Sequence, residues 1–220
     1  MATADKPNVL LLSLSYRKFL DETYDSLLSR LLNVSNLKRA KKSSGALRIL
    51  SECTFKAIII TDEGLTYPEN REVLTKVKGY IENGGLAIVG LHFPNFTTQD
   101  QFDDFFKAFD LPWRRGDYHR TTFEFVQSSE IPKGLKRSSF PWVYSMRVVH
   151  VKNGRPHEKI FVPIPGAITE GLVLRGFPVD RTHAAVVGTM IGQGALVYCG
   201  DVNAEDGSTA LTMALMGCSC

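Results

Sequence analysis

Two short apolar runs joined by one amphipathic stretch constrain this chain more than any other feature. Lys56-Ala57-Ile58-Ile59-Ile60-Thr61-Asp62-Glu63 is rich in β-branched residues and ends on two carboxylates, the pattern of a strand. Pro68 suits a first helical turn, and Glu69 and Glu72 complement the positive end of the helix dipole. Val73, Leu74, Val77, Tyr80 and Ile81 fall on one helical face, and Asn83-Gly84-Gly85 ends that helix. Leu86 to Leu91 is apolar throughout, as in a strand buried on both faces. Strand, helix and strand make a βαβ unit, whose crossover requires parallel strands and runs right-handed. An α/β protein with a mostly parallel central sheet is expected.

The flanking sequence extends the pattern. Asn8 to Ser15 reads as another buried strand, and Phe19, Leu20, Tyr24, Leu27, Leu28, Leu31 and Leu32 mark a helix ending near Asn33. Ser43-Ser44-Gly45 interrupts the stretch 34–56, in which Ala46 to Cys53 reads as a short helix leading into a strand. Thr98-x-x-Gln101 has the form of a capping box. Phe102, Phe105, Phe106 and Phe109 follow on one face and read as core. Beyond Pro112 the periodicity shortens. Strands are expected at 121–126, 146–152, 159–164, 184–191 and 196–200, with hairpins turning at Asn153-Gly154 and Gly192-Gln193. Ser208 caps a last helix that Gly217 closes. No internal repeat or linker divides the chain, so residues 1–220 are expected to form one domain.

Composition removes several function classes. Hydrophobic residues make up 44% and charged residues 22% of the 220, and the net charge is only +3, so neither disorder nor a polyanionic partner is indicated. The basic run Lys38-Arg39-Ala40-Lys41-Lys42 reads as a solvated helix face or loop, not a nucleic-acid contact. No apolar run is long enough to span a membrane, and the polar start lacks a signal-peptide layout, so a cytoplasmic protein is expected. The four cysteines, Cys53, Cys199, Cys218 and Cys220, show no Cys-x-x-Cys pair, and no histidines share a helix face, so no metal site is expected. Cys53 and Cys199 read as buried thiols. Cys218-Ser219-Cys220 is similar to prenylated Cys-x-Cys tails, and lipidation there is the one route to a membrane.

Polar residues gather where strands end. In an open parallel sheet, ligands bind beyond the carboxyl ends of the strands, where strand order reverses. Asp62 and Glu63 follow one strand, His92 the next, and Asp201, Asn203 and Glu205 the last. Histidine beside carboxylates is an acid–base set, although such residues also serve as turn and cap residues. Trp113-Arg114-Arg115-Gly116-Asp117-Tyr118-His119-Arg120-Thr121 reads as a loop over that edge, with Arg120 suited to an anionic ligand group and Trp113 either lining the pocket or anchoring the preceding helix. No Gly-x-Ser-x-Gly or Gly-x-Cys-x-Gly elbow and no phosphate-binding glycine loop occurs, which argues against acyl-enzyme, ATP and dinucleotide chemistry.

Gly79-Tyr80-Ile81-Glu82-Asn83-Gly84-Gly85-Leu86-Ala87-Ile88-Val89-Gly90-Leu91-His92 resembles the helix, double glycine, strand and Gly-Leu-His signature of ThuA-like (trehalose-utilisation) proteins, in the class I glutamine amidotransferase-like superfamily. Residues 57–62 resemble the strand before it, and Gly192-Gln193-Gly194-Ala195-Leu196-Val197-Tyr198 the late Gly-x-Gly strand entry. The resemblance implies a flavodoxin-like three-layer sandwich with added β-hairpins in the C-terminal half. In the superfamily's amidotransferases, the turn after the matching strand holds the catalytic cysteine; here it carries Gly90-Leu91-His92-Phe93. ThuA-like proteins tend to have histidine after the last strand's glycine, where this chain has Asp201.

The reading that follows is a small-molecule-binding ThuA-like protein, an enzyme on a sugar or other polar metabolite if it is one at all. His92 is then the acid–base group, with Asp62, Glu63 or Asp201 as its partner. His119, Arg120, Asn203 and Trp113 hold the ligand, no cofactor is needed, and a homo-oligomer is compatible. The alternative is a non-catalytic binding or protein-interaction module on the same scaffold. A hydrogen bond between His92 and a carboxylate in an open pocket separates the two.

Overall fold

A computed structural model describes residues 6–171 and 176–217; the Cys218-Ser219-Cys220 tail lies outside them. The first strand, β1 (Asn8–Leu12), is buried from Val9 onward. The helical run after it breaks at Tyr24 into α1 (Phe19–Thr23) and α2 (Asp25–Val34). There follow β2 (Asn36–Ala40), α3 (Ser43–Glu52), β3 (Ala57–Ile60), α4 (Arg71–Glu82) and β4 (Leu86–Val89). Next come α5 (Phe93–Phe96) and α6 (Gln99–Lys107). Pro68 lies in a 3-10 turn, Pro68–Asn70, that leads into α4. The expected capping box is formed at Thr98 and Gln101. The second half holds β5 (Arg114–Phe125), β6 (Val143–Lys152), β7 (Lys159–Pro163), β8 (Val186–Ile191), β9 (Gly194–Cys199) and α7 (Asp206–Leu215).

The nine strands among the described residues join one sheet in the order β2-β1-β3-β4-β9-β8-β7-β5-β6. The strands from β2 to β9 are parallel, and every remaining pair is antiparallel. The sheet is therefore mixed, not mostly parallel. The physical reason is connection length. Parallel neighbours need a crossover of a dozen or more residues, and no α-helix lies between β5 and β9 among the described residues.

Both faces of the parallel half are apolar because β1, β3, β4 and β9 are buried on both sides. Val9, Leu11, Ile59 and Val197 pack beneath α2 and α7, while Leu10, Ile58, Val89 and Tyr198 pack beneath α4 and α6. Each such fully buried Leu, Ile or Val contributes roughly 1.5–3 kcal/mol relative to exposure. The four phenylalanines near α6 are core, as their spacing predicts.

Three local expectations are corrected. Lys38, Arg39 and Ala40, in the basic run read as loop or helix face, belong to the parallel edge strand β2. Residues 114–121, read as a loop, belong to β5, whose alternating polar and apolar side chains suit a strand with one wet face. Asn153 does turn the chain with φ of 65°, but no β6–β7 hairpin forms, because β6 and β7 take opposite sides of β5. The Gly192-Gln193 hairpin does form, with Ile191 opposite Gly194. Its tightness explains two glycines. A Cβ on Gly194 would lie 2.2 Å from the Gly85 and Ile81 carbonyl oxygens, and Gly192 has φ of 61°. Finally, β6 bridges back to Asp201 and Ala184, so the antiparallel half rolls onto itself.

Candidate functional site

Register places the proposed polar groups on one rim. Leu12 lies opposite Ile60, Ile60 opposite Val89, and Val89 opposite Tyr198. Asp62 and Glu63, His92 and Asp201 thus leave neighbouring strands at the same edge. The loop after β1, between β2 and β3 in the sheet, joins them where strand order reverses.

Asp62 is buried and serves that loop. Its Oδ1 accepts the amides of Ser15 and Gly64, each at 3.0 Å, and Oδ2 rests against the Thr61 hydroxyl. Burial pushes its carboxyl up to about 6, against the two amides that favour the ionised form. Glu63 is saturated. Arg17 grips it with both Nη atoms, Nη2 at 2.6 Å and Nη1 at 2.9 Å, and the hydroxyls of Ser15 and Tyr67 donate at 2.8 and 2.9 Å. Burial raises its carboxyl, but the Arg17 guanidinium and the two hydroxyls outweigh burial and leave it below the usual range. Sequence reasoning missed Ser15 and Arg17. The available signal was topological: the strand at a reversal of order delivers its following loop into the crevice.

His92 is enclosed. Its ring lies 4.6 Å from Phe19, 5.3 Å from Phe96 and 5.6 Å from Tyr24, centroid to centroid. Nδ1 is buried without a hydrogen-bond partner, and no ring nitrogen bonds a carboxylate. Burial first, then the nearby Arg17 charge, pushes its pKa down to about 4, so the ring is neutral at pH 7. Above it, Phe19 is 45% and Phe96 36% exposed, and the Arg17 guanidinium sits 3.8 Å from the Phe96 ring centre.

Asp201 is buried and closes its own turn, accepting the amides of Asn203 at 2.9 Å and Glu205 at 2.8 Å; burial raises its carboxyl. Arg120 pairs with Glu205 and reaches the Ser145 hydroxyl at 3.3 Å. With its amide turned so that donor meets acceptor, Asn203 accepts from the same guanidinium at 3.1 Å. Two expected ligand contacts lie elsewhere. His119 projects to the face of β5 opposite Arg120, as adjacent strand residues must, and packs on His150. Trp113 is fully buried, packed at a tilt against Phe106, with its indole N–H donating to Glu158 at 2.8 Å; it anchors the core.

Between β4 and α5 the backbone makes a strained elbow at Leu91, with φ of 56°. Leu91 lines a void bounded also by Tyr24, Cys199, Asp201 and Ser208, with about 20 Å³ of free volume, room for one water. Burial pushes the Cys199 thiol up to about 12, so it is no thiolate.

By sequence the chain matches no protein-family model and no curated protein. Solved structures do resemble it. A ThuA-like protein of Bacteroides uniformis superposes with a TM-score of 0.58 over 98% of this chain and 91% of its own, at 12% identity. A ThuA-like protein of Parabacteroides merdae gives 0.56 over 98% and 92%, at 11% identity. The fold is that of ThuA-like proteins. A cytoplasmic protein of Salmonella typhimurium shares it, with a TM-score of 0.51 over 96% and 98% at 12% identity. The ThuA-like fold here contains, among the described residues, no helix long and apolar enough to cross a membrane.

Proposed function

We propose that this chain is a ThuA-like member of the class I glutamine amidotransferase-like superfamily that works as a non-catalytic binding module. The strand order of the parallel half, second-first-third-fourth and then last, follows the flavodoxin-like order. The observation that carries the reading is the elbow after β4. The resemblance to the superfamily puts the nucleophile of its amidotransferases at this turn, and here the strained position belongs to Leu91. The residues around it have no chemistry left to perform. His92 has no carboxylate partner, Glu63 is held by Arg17, and Asp62 and Asp201 cap backbone turns.

What remains accessible is a surface of two aromatic rings and a guanidinium. Phe19, Phe96 and Arg17 fit a small polar ligand, of the sugar class, that stacks on a ring and accepts from the cation. In this reading residues 1–220 act as one domain in the cytoplasm.

Thermal-shift screening against sugars and polar metabolites tests the reading, with Phe96→Ala and His92→Ala beside the wild type. A stabilising ligand should lose at least about tenfold in affinity in Phe96→Ala and should be recovered unchanged after incubation. An electrophilic glutamine analogue should leave the intact mass unaltered. Turnover of any ligand that disappears in His92→Ala would overturn the proposal.

A further inference from the structure

A second group of unsatisfied polar atoms lies in the rolled antiparallel half, away from the rim. His119 on β5, His150 on β6 and His183 before β8 form a row, with centroids 4.3 Å apart for the first pair and 6.3 Å for the second. His150 is fully buried, and its Nδ1 donates to the Asp117 carbonyl at 3.0 Å. Three ring nitrogens, Nε2 of His119, Nε2 of His150 and Nδ1 of His183, are buried without a hydrogen-bond partner. These rings are not arranged to share a metal ion.

Few charges face the row. β5 contributes Asp117, and the segment before β8 contributes Asp180, at 3.4 and 3.6 Å from His183; both carboxylates are about half exposed and water screens them. β7 contributes the Lys159 ammonium, which donates to the Thr182 carbonyl at 2.6 Å, and Phe123 closes the apolar side. Imidazolium charges on His119 and His150, beside an ammonium, would outweigh two screened carboxylates. A backbone joint sits directly beside this row. Val151, next to His150, and Ala184, next to His183, exchange both hydrogen bonds at 2.8 and 2.9 Å.

We propose that the row is an acid-sensitive clasp: proton uptake by the imidazoles releases the segment around His183 from β6 and opens the rolled half. Burial keeps His150 down near 3 and His119 below its usual value while the clasp is closed. Opening returns His119 and His150 to water, where an imidazole takes up a proton below a pH of about 6.5.

Amide exchange at Val151 and Ala184, corrected for the pH dependence of the chemical step, reads the joint directly. If one imidazole regains an ordinary pKa on opening, protection should fall about 30-fold between pH 7.5 and 5.0, with exchange at the joint faster than at amides of β1 and β3 throughout, so that it reports local opening and not global unfolding. His150→Phe and His119→Asn should each flatten the response; His119→Asn, at a less buried ring, carries the test if His150→Phe fails to fold. Protection at the joint that ignores pH would overturn the proposal, as would exchange at the joint no faster than at β1 and β3. So would a response that survives in the variants. A gain of protection on adding Zn²⁺, abolished by His183→Asn, would instead make the cluster a metal site.

Discussion

Glu63 and Arg17 show how a residue that reads as catalytic comes to be held by a partner. A carboxylate at a strand end is available for chemistry only if its oxygens are free, and both of Glu63's meet donors, Oε1 from Arg17, Ser15 and Tyr67 and Oε2 from Arg17. The carboxylate is 2% exposed and the guanidinium 29%, so the pair is sheltered enough to matter, and water softens its loss. Glu63→Gln should lower the unfolding free energy by about 2 kcal/mol in urea titrations, with Arg17→Leu in the same chain recovering part of it, because the uncompensated charge is then gone. A Glu63→Gln variant of unchanged stability would mean that the pair contributes nothing to the rim.

At the scale of elements, the β8–β9 hairpin seats the last parallel strand and hence Asp201. Its entry is packed against the end of α4 so closely that a single methyl group has no room. Gly194→Ala would drive carbon into two carbonyl oxygens, and a loss of roughly 3 kcal/mol or more is expected, seen as a lowered urea midpoint with an unchanged slope. Gly79→Ala, where nothing lies within 4 Å of the added carbon, is the control. It sits inside α4 and should stabilise by up to about 1 kcal/mol.

At the scale of the whole molecule, acid and base pull in opposite directions through different buried groups. His92 and His150 have folded pKa values near 4 and 3, below the unfolded value of about 6.5. Their contribution is complete above that value and is lost as pH falls toward the folded ones. Each removes up to about 2 kcal/mol by pH 5. Asp62 acts in reverse. Its folded pKa near 6 exceeds the unfolded value of about 3.9, so it costs stability as pH rises from 4 to 6. Unfolding free energy should therefore fall on acidification from pH 7 to 5. The fall should be steeper in Asp62→Asn, which removes the opposing group, and shallower in His92→Phe.

How much of this was legible follows from what a local pattern can record. The βαβ unit, the capping box at Thr98 and the Gly192-Gln193 turn are written in neighbouring residues, because periodicity and turn chemistry act over one or two turns of chain. They sufficed to put Asp62, Glu63, His92 and Asp201 on one rim. Strand partnership is not local. β2 pairs with β1 through an ordinary-looking stretch, and β5 chooses β6 and β7 as neighbours by tertiary packing, which turned an expected loop into the longest strand and sent His119 away from Arg120. The state of each rim residue is equally non-local: Arg17 meets a carboxylate 46 positions on, and Phe19 of α1, Tyr24 at the α1–α2 break and Phe96 of α5 enclose one imidazole. Sequence alone determined which side chains stand at the edge of the sheet; only the packed chain decided which of them are already partnered, since desolvation and hydrogen bonding depend on what the rest of the fold brings alongside.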